Sequence, residues 1–400
     1  MKLIEPILAD APAIAKLRRD LHAHPELCFH EDRTSDLVAQ ALTDWGIPVH
    51  RGLGKTGVVG TIHGRDGGKS GRALGLRADI DALPITEHNT FAHASKHPGK
   101  MHACGHDGHT AMLLAAAKHL AAHRDFDGTV HVVFQPAEEG GGGAREMIKD
   151  GLFKLFPVEA MFGIHNWPGM AAGQFALKTG PVFASSNEFK ILIKGKGAHG
   201  AMPHLGTDPV VVAAHLVQAF QTIITRNKRP IDAGVISVTM IHAGEATNVI
   251  PESCELQGTV RTFTLETLDL IERRMQQITA ATGDAFEVRC EFSFHRNYPP
   301  TINHPAETDF VRGVLTEMVG PANVQEFEPT MGAEDFSYYL QEVPGCYFLI
   351  GNGDGSHREG GHGLGPCMLH NPSYDFNDEL IPLGGSMWVR LVDAWFKQAR

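Results

Sequence analysis

Three apolar runs in the first half of the chain each end in side chains that bind metals or move protons. Ala73–Ile80 closes on Arg77-Ala78-Asp79-Ile80-Asp81, Thr129–Phe134 runs into Gln135-Pro136-Ala137-Glu138-Glu139, and Ala160–Ile164 into His165-Asn166-Trp167-Pro168. Continuous apolar runs of this length suit strands buried on both faces of a sheet. An open α/β sheet binds its ligands at the carboxyl ends of its strands, so the three endings are expected to share one crevice. One histidine there is usually structural, but three such endings in a row point to a site.

Between the first two runs lies Met101-His102-Ala103-Cys104-Gly105-His106-Asp107-Gly108-His109-Thr110, followed by the helix-like Ala111–His119. Thiolate and imidazole are good ligands for zinc and its neighbours, and a Cys-x-His pair lets two side chains on one bend converge on one ion. Taken alone, the run fits a polar turn around a buried cysteine equally well. Adjacent carboxylates suit a division of labour in which one of Glu138 and Glu139 holds metal and the other acts as general base. Gly140–Gly143 lacks the Gly-Lys-Ser/Thr ending of a phosphate loop. Arg77 and Asp79 either pair with each other or support the site.

Four hundred residues, 42% apolar and 20% charged, describe a soluble globular chain of two or three domains. A net charge of -11 argues against nucleic acid or an acidic membrane as the main partner, so an anionic substrate would need a local basic site. Cys28, Cys104, Cys254, Cys290, Cys346 and Cys367 include no CxxC pair. The first residues meet acid and proline before an apolar core of signal-peptide length, and no run reaches the length of a membrane span. The expected compartment is a reducing cytoplasm.

Helical spacing is expected over Ala13–His24, Thr34–Trp45, Glu307–Val319 and Leu380–Phe396, with a further strand at Cys346–Ile350. After Gly180-Pro181 the pattern changes. Glu188–Lys194, Pro209–Arg226, Gly234–Ile241, Cys254–Thr262, Glu266–Ala281 and Phe286–Phe294 read β-α-β-β-α-β. This inserted α+β domain, residues 184–297, would divide an α/β domain made of 1–183 and 298–400. The insert's His199, Asn248 and Arg261, taken singly, suit an exposed loop, a turn and a strand's wet face.

Together these residues resemble the metal-dependent aminoacylase/carboxypeptidase family, in the branch of hippurate hydrolase, N-acyl-amino-acid and auxin-conjugate amidohydrolases. The resemblance rests on Leu21–Leu27, Leu76–Pro84, Cys104–His109, Pro136–Gly140, His165–Pro168 and His370-Asn371-Pro372, in the family's order over nearly the whole chain. It implies a mixed-sheet, zinc-peptidase-like catalytic domain with an inserted lid and dimerisation domain, giving a homodimer or dimer-based tetramer. Cys104, His106, Glu139, His165 and His370 would hold two divalent metals per subunit (zinc, manganese, nickel or cobalt), Cys104 bridging, and Glu138 would be the general base. Arg77 stands where more distant relatives carry a histidine ligand, and Asp79 and Asp107 become candidates to orient histidine ring nitrogens. His199 would stabilise the oxyanion, while Asn248 and Arg261 would bind the substrate's α-carboxylate.

The implied activity is hydrolysis of the amide bond of N-acyl or N-aroyl amino acids, releasing a carboxylic acid and a free amino acid. A dipeptidase or carboxypeptidase on the same scaffold remains open, as does a non-catalytic metal-binding protein. A redox role for Cys104 is disfavoured because no second cysteine lies nearby in sequence.

Overall fold

Ala73–Asp79 (β3) and Thr129–Gln135 (β4) are buried at every residue and pair in parallel, Asp79 opposite Gln135. They lie inside an eight-stranded mixed sheet in the computed structural model, which describes residues 2–358 and 360–398. Val49–Leu53 (β1) and Gly57–His63 (β2) extend the sheet antiparallel beyond β4. On the other side of β3, Ala160–Pro168 (β5) pairs in parallel, and Gly345–Gly353 pairs in parallel with β5. Phe175–Leu177 and Val324–Glu326 complete that edge. The strands β3, β4 and β5 thus run side by side in one direction, and their carboxyl ends share an edge. Val49–Leu53 escapes the sequence pattern because it is an outer strand with three exposed residues and no apolar alternation.

Glu5–Ala23 (α1), Asp32–Asp44 (α2) and His106–Ala122 (α3) cover the sheet with Leu380–Lys397. Residues 106–117 of α3 are all buried, as expected of a helix apolar all round and enclosed by neighbours. It packs against both α1 and the C-terminal helix. Helix α1 starts eight residues before the expected Ala13 and contains Pro12. Tertiary packing overrides the breaker: Ile7 and Ile14 bury on one face, and Ile4 N donates to Ser386 Oγ at 3.0 Å.

A compact unit of Met1–Gly180, Ile302–Glu328 and Asp335–Arg400 contains the large sheet, and a second comprises Pro181–Thr301 with Pro329–Glu334. The second has an all-antiparallel sheet in the order 234–243, 253–262, 186–194, 289–298. Phe189, Ile191, Ile193, Leu256 and Val260 point into a core shared with Pro209–Thr222 and Leu265–Ala285, while the alternate residues line the open face. The last strand begins at Arg289 rather than Phe286, because the preceding helix runs to Ala285 and the chain reverses at Glu287, φ +54°. No described helix is long and apolar enough to cross a membrane, and no disulfide joins the described cysteines.

A buried ion network joins α1 to α3. Arg18 reaches Asp107, Asp375 and Asp378, and His22 lies 2.9 Å from Asp107 Oδ2 and 3.2 Å from Glu87 Oε1. Burial alone would lower the His22 pKa, but hydrogen bonds to Asp107 and Glu87 outweigh it and raise the value from 6.5 to about 10. The raised folded-state value means the stabilisation is complete below pH 6.5 and is lost as pH rises toward 10. In thermal unfolding from pH 6 to 10, the gap between the parent and His22→Gln is therefore expected to shrink with rising pH; a constant gap would show that His22 is not charged in the fold.

Candidate metal centre

The five expected ligands are delivered by four separate pieces of backbone. Cys104 and His106 flank Gly105, which caps α3 in the left-handed region at φ +93°. A Cβ there would lie 2.2 Å from Asn166 Nδ2 and 2.4 Å from Tyr374 Oη, so both conformation and space demand glycine. Glu138 and Glu139 follow β4, and His165 lies within the carboxyl half of β5. His370 has a positive φ of 59°, and its amide donates to Ala103 O at 2.8 Å, next to Cys104.

Among the described residues, five groups of ligand atoms lie mutually within 4.8 Å: Cys104, His106 and His165; Cys104, Glu139 and His370; His106, Glu138 and Glu139; Asp79, His106 and His109; and Glu138, Glu334 and Asp335. The first two include all five expected ligands and share only Cys104. Cys104 Sγ is 3.3 Å from His165 Nε2, and His370 Nε2 is 3.2 Å from Glu139 Oε1. Glu138 is buried beside them.

The hydrogen-bond pattern fits a metal. His106 Nδ1 is 2.9 Å from Asp81 O and His165 Nδ1 is 2.6 Å from Asn166 O. A carbonyl can only accept, so each Nδ1 carries a proton and each Nε2 is the nitrogen turned toward the other candidate ligands. His106 Nε2 and Glu139 Oε1 are buried without a hydrogen-bond partner, as ligand atoms would be. Burial lowers the pKa of His106, but Asp79, Asp81 and Glu139 raise it to about 10, so without a metal Nε2 also takes a proton, which a bound cation would displace. His165 is held well below 6.5 by burial and by His109, leaving it neutral as a ligand must be.

Asp79 and Asp107 each hold a histidine ring nitrogen, but of His109 and His22 rather than of an expected ligand. Asp79 Oδ1 accepts from His109 Nδ1 at 2.7 Å, and Asp107 faces His22 and Arg18. The carbonyls of Asp81 and Asn166 orient the ligand rings instead. His109 is excluded as a ligand because its Nε2 already accepts from Asn166 N at 2.9 Å. Asn166 also donates to Cys104 O at 2.7 Å and accepts from Tyr374 Oη at 2.7 Å, a bracing role the sequence did not reveal. Its signal was adjacency to His165 at a strand's end.

Arg77 is fully buried. It donates to Asp79 Oδ2 at 2.7 Å, Gln135 Oε1 at 2.8 Å and Asp335 Oδ1 at 3.0 Å. Replacing Arg77 with methionine removes the cationic partner of two buried carboxylates, Asp79 and Asp335, and is expected to cost about 3–5 kcal/mol of stability, read by denaturant unfolding. A loss below about 1 kcal/mol would show that His109, Gln135 and the Ala144 amide suffice to hold them.

His199, Asn248 and Arg261 belong to the second unit, which brings only two of them together. His199 pairs with Val249, and Gly200 N donates to Asn248 O at 2.7 Å. The exposed His199 accepts at Nδ1 from Ala201 N at 3.0 Å, so its neutral ring carries the proton on Nε2, free to donate. Arg261 instead faces Val235 at the far end of a strand whose near end pairs Cys254 with Ala243. Seven residues at 3.3 Å each place about 23 Å between Cys254 and Arg261. Asn248 lies in the connection that joins these two strands beyond the Cys254 end, so it and Arg261 stand at opposite ends of the hairpin. Arg261 makes no ion pair among the described residues, and burial lowers its pKa; it lines a groove of about 440 Å³ with Thr259, Ser293 and His295. It is a partly desolvated cation with room for an anion.

The sequence model of peptidase family M20/M25/M40 matches residues 75–394. Hippurate hydrolase of Campylobacter jejuni is 38% identical over 398 residues, covering 99% of this chain and 100% of the relative. The chain belongs to family M20/M25/M40. Another M20 relative, thermostable carboxypeptidase 1 of Saccharolobus solfataricus, is 40% identical over 395 residues, 96% of each chain. A crystal structure of a dinuclear metal-binding M20 peptidase of Bacillus subtilis superposes with a TM-score of 0.82 at 31% identity, covering 98% of this chain and 100% of that one. Like its M20 relatives, the protein is a metal-dependent amidohydrolase with an α/β fold.

Proposed function

We propose that this protein hydrolyses the amide bond of N-acyl or N-aroyl amino acids, using a pair of divalent metals held by Cys104, His106, Glu139, His165 and His370. The observation that carries this reading is the pair of ligand triplets sharing Cys104, with buried Glu138 beside them. Bound metals would supply Lewis acidity and lower the pKa of water, with zinc, manganese, nickel and cobalt all suited to this donor set. Glu138 takes the proton of the attacking water and returns it to the leaving amine. His199, with its proton on Nε2, donates to the developing oxyanion.

Arg261 takes the α-carboxylate in a bidentate grip, the local basic site an acidic chain needs. Its distance from Asn248 supports a homodimer in which one copy supplies Arg261 and the other Asn248 and His199. The second unit then acts as lid and dimer contact.

Similarity to a thermostable carboxypeptidase keeps peptides in view as the alternative substrate. Metal-stripped and metal-restored protein assayed against N-benzoylglycine, N-acetyl amino acids and dipeptides separates the two. Preference for an acyl amino acid is expected, and hydrolysis of dipeptides alone would overturn the reading.

A further inference from the structure

We propose that Asp81 and Glu31 are positioning residues for the reaction: between them they grip the consecutive main-chain amides of Ala137, Glu138 and Glu139 and fix where the two glutamate side chains point. The inference rests on the roles given above to Glu138 and Glu139. Ala137 N donates to Glu31 Oε1 at 2.9 Å, Glu138 N to Asp81 Oδ1 at 3.0 Å, and Glu139 N to Asp81 Oδ2 at 3.0 Å. These three donors lie beyond the end of β4, where no neighbouring strand can accept them. Two carboxylates take over the ladder's work.

Both clamps are deeply buried, Glu31 at 0% and Asp81 at 1% exposure. Glu31 is itself fixed by Thr56 Oγ1 at 2.6 Å and Phe29 N at 2.9 Å. Asp81 presents its own carbonyl to His106 Nδ1, so one residue ties the proposed base to two proposed ligands.

The loop needs such restraint. Ala137 sits at φ +54°, a conformation that persists in a residue with a Cβ only where its surroundings over-determine it. Gly140-Gly141-Gly142-Gly143 follows Glu139, and its turn bonds from Gly140 N to Glu138 O and from Gly143 N to Ala137 O leave the amides of Glu138 and Glu139 to Asp81. Without the two carboxylates, Glu138 and Glu139 would hang from a strained residue on one side and four glycines on the other.

The test uses the metal-loaded, full-length protein and whichever substrate of the panel it turns over. Asp81→Asn keeps one acceptor and points an NH₂ group at the other main-chain amide. At saturating metal it is expected to lower kcat about 30–100-fold with KM within about threefold of the parent, the split produced by misplacing a reacting group. Metal retention should weaken about tenfold, read by competition with a chromophoric chelator. Glu31→Gln leaves the Glu138 and Glu139 amides on Asp81 and is expected to lower kcat about 5–10-fold with metal retained.

Asp375→Asn, a buried carboxylate facing Arg18 and His93, controls for stability alone and should keep the parent's kcat. A folded, metal-loaded Asp81→Asn with kcat within about twofold of the parent overturns the proposal, as does a kcat loss matched by Asp375→Asn. Should Asp81→Asn fail to fold, Glu31→Gln decides by its kcat. Glu138→Gln run alongside separates the two readings: full activity there removes the base assignment, whereas inactivity there beside a parent-like Asp81→Asn removes only the clamp.

Discussion

Glu138→Gln is expected to lower kcat by about 10²–10⁴-fold, the range attributed to a positioned acid or base. Glutamine preserves the size of the side chain and its capacity to accept a hydrogen bond, but it cannot take a proton from water and hand it to the departing amine. The loss should fall on kcat, with KM little changed, because the groups assigned to hold substrate lie elsewhere. Metal content should match the parent, since Cys104, His106, His165, Glu139 and His370 are untouched. Steady-state kinetics with elemental analysis on one preparation reads both quantities. Unchanged turnover would place the proton acceptor on another residue; metal loss would make Glu138 a ligand.

Chelation is expected to abolish turnover altogether and to lower the thermal midpoint, with both restored by metal. Asp79, Asp81, Glu138 and Glu139 all approach the histidine cluster, and the first three are buried. Removing cations leaves these carboxylates with fewer counter-charges. A ligand present at a thousand times its dissociation constant stabilises the folded state by about 4 kcal/mol, so the shift should be readily visible by scanning calorimetry. Restoring zinc, manganese, nickel and cobalt in separate samples ranks them by activity and by stability. Full activity after exhaustive chelation would exclude a metal-dependent reaction; an unchanged midpoint would mean that metal adds chemistry without holding the fold.

Strands buried on both faces were legible because continuous apolar runs have few alternatives, and their polar endings announced the edge where the ligands gather. Val49–Leu53 was not, since an outer strand with exposed residues carries no such pattern. Cys104, His106, Glu139, His165 and His370 were singled out by the family resemblance, and the structure brings their ligand-type atoms together. Their supporting partners were not. The ring of His106 is set by a main-chain carbonyl and that of His109 by Asp79, and a carbonyl leaves no trace in residue identity. Asp107 pairs with His22, eighty-five residues away, despite sitting next to His106. The opposite placement of Asn248 and Arg261 follows from the register of a hairpin, which a sequence reading can state only once the strands are paired.

His370 sits against Glu139, although 231 positions of chain separate them. A centre assembled from both ends of the polypeptide cannot exist while the ribosome is still making the second half. Chains emerge N-terminus first at about 5–20 residues per second. On the proposed ligand set, Cys104, His106, Glu139 and His165 would all be synthesised before His370. An ion captured in that interval would be held by an incomplete set. Truncations ending before His370 would give a direct view of what the nascent centre accepts.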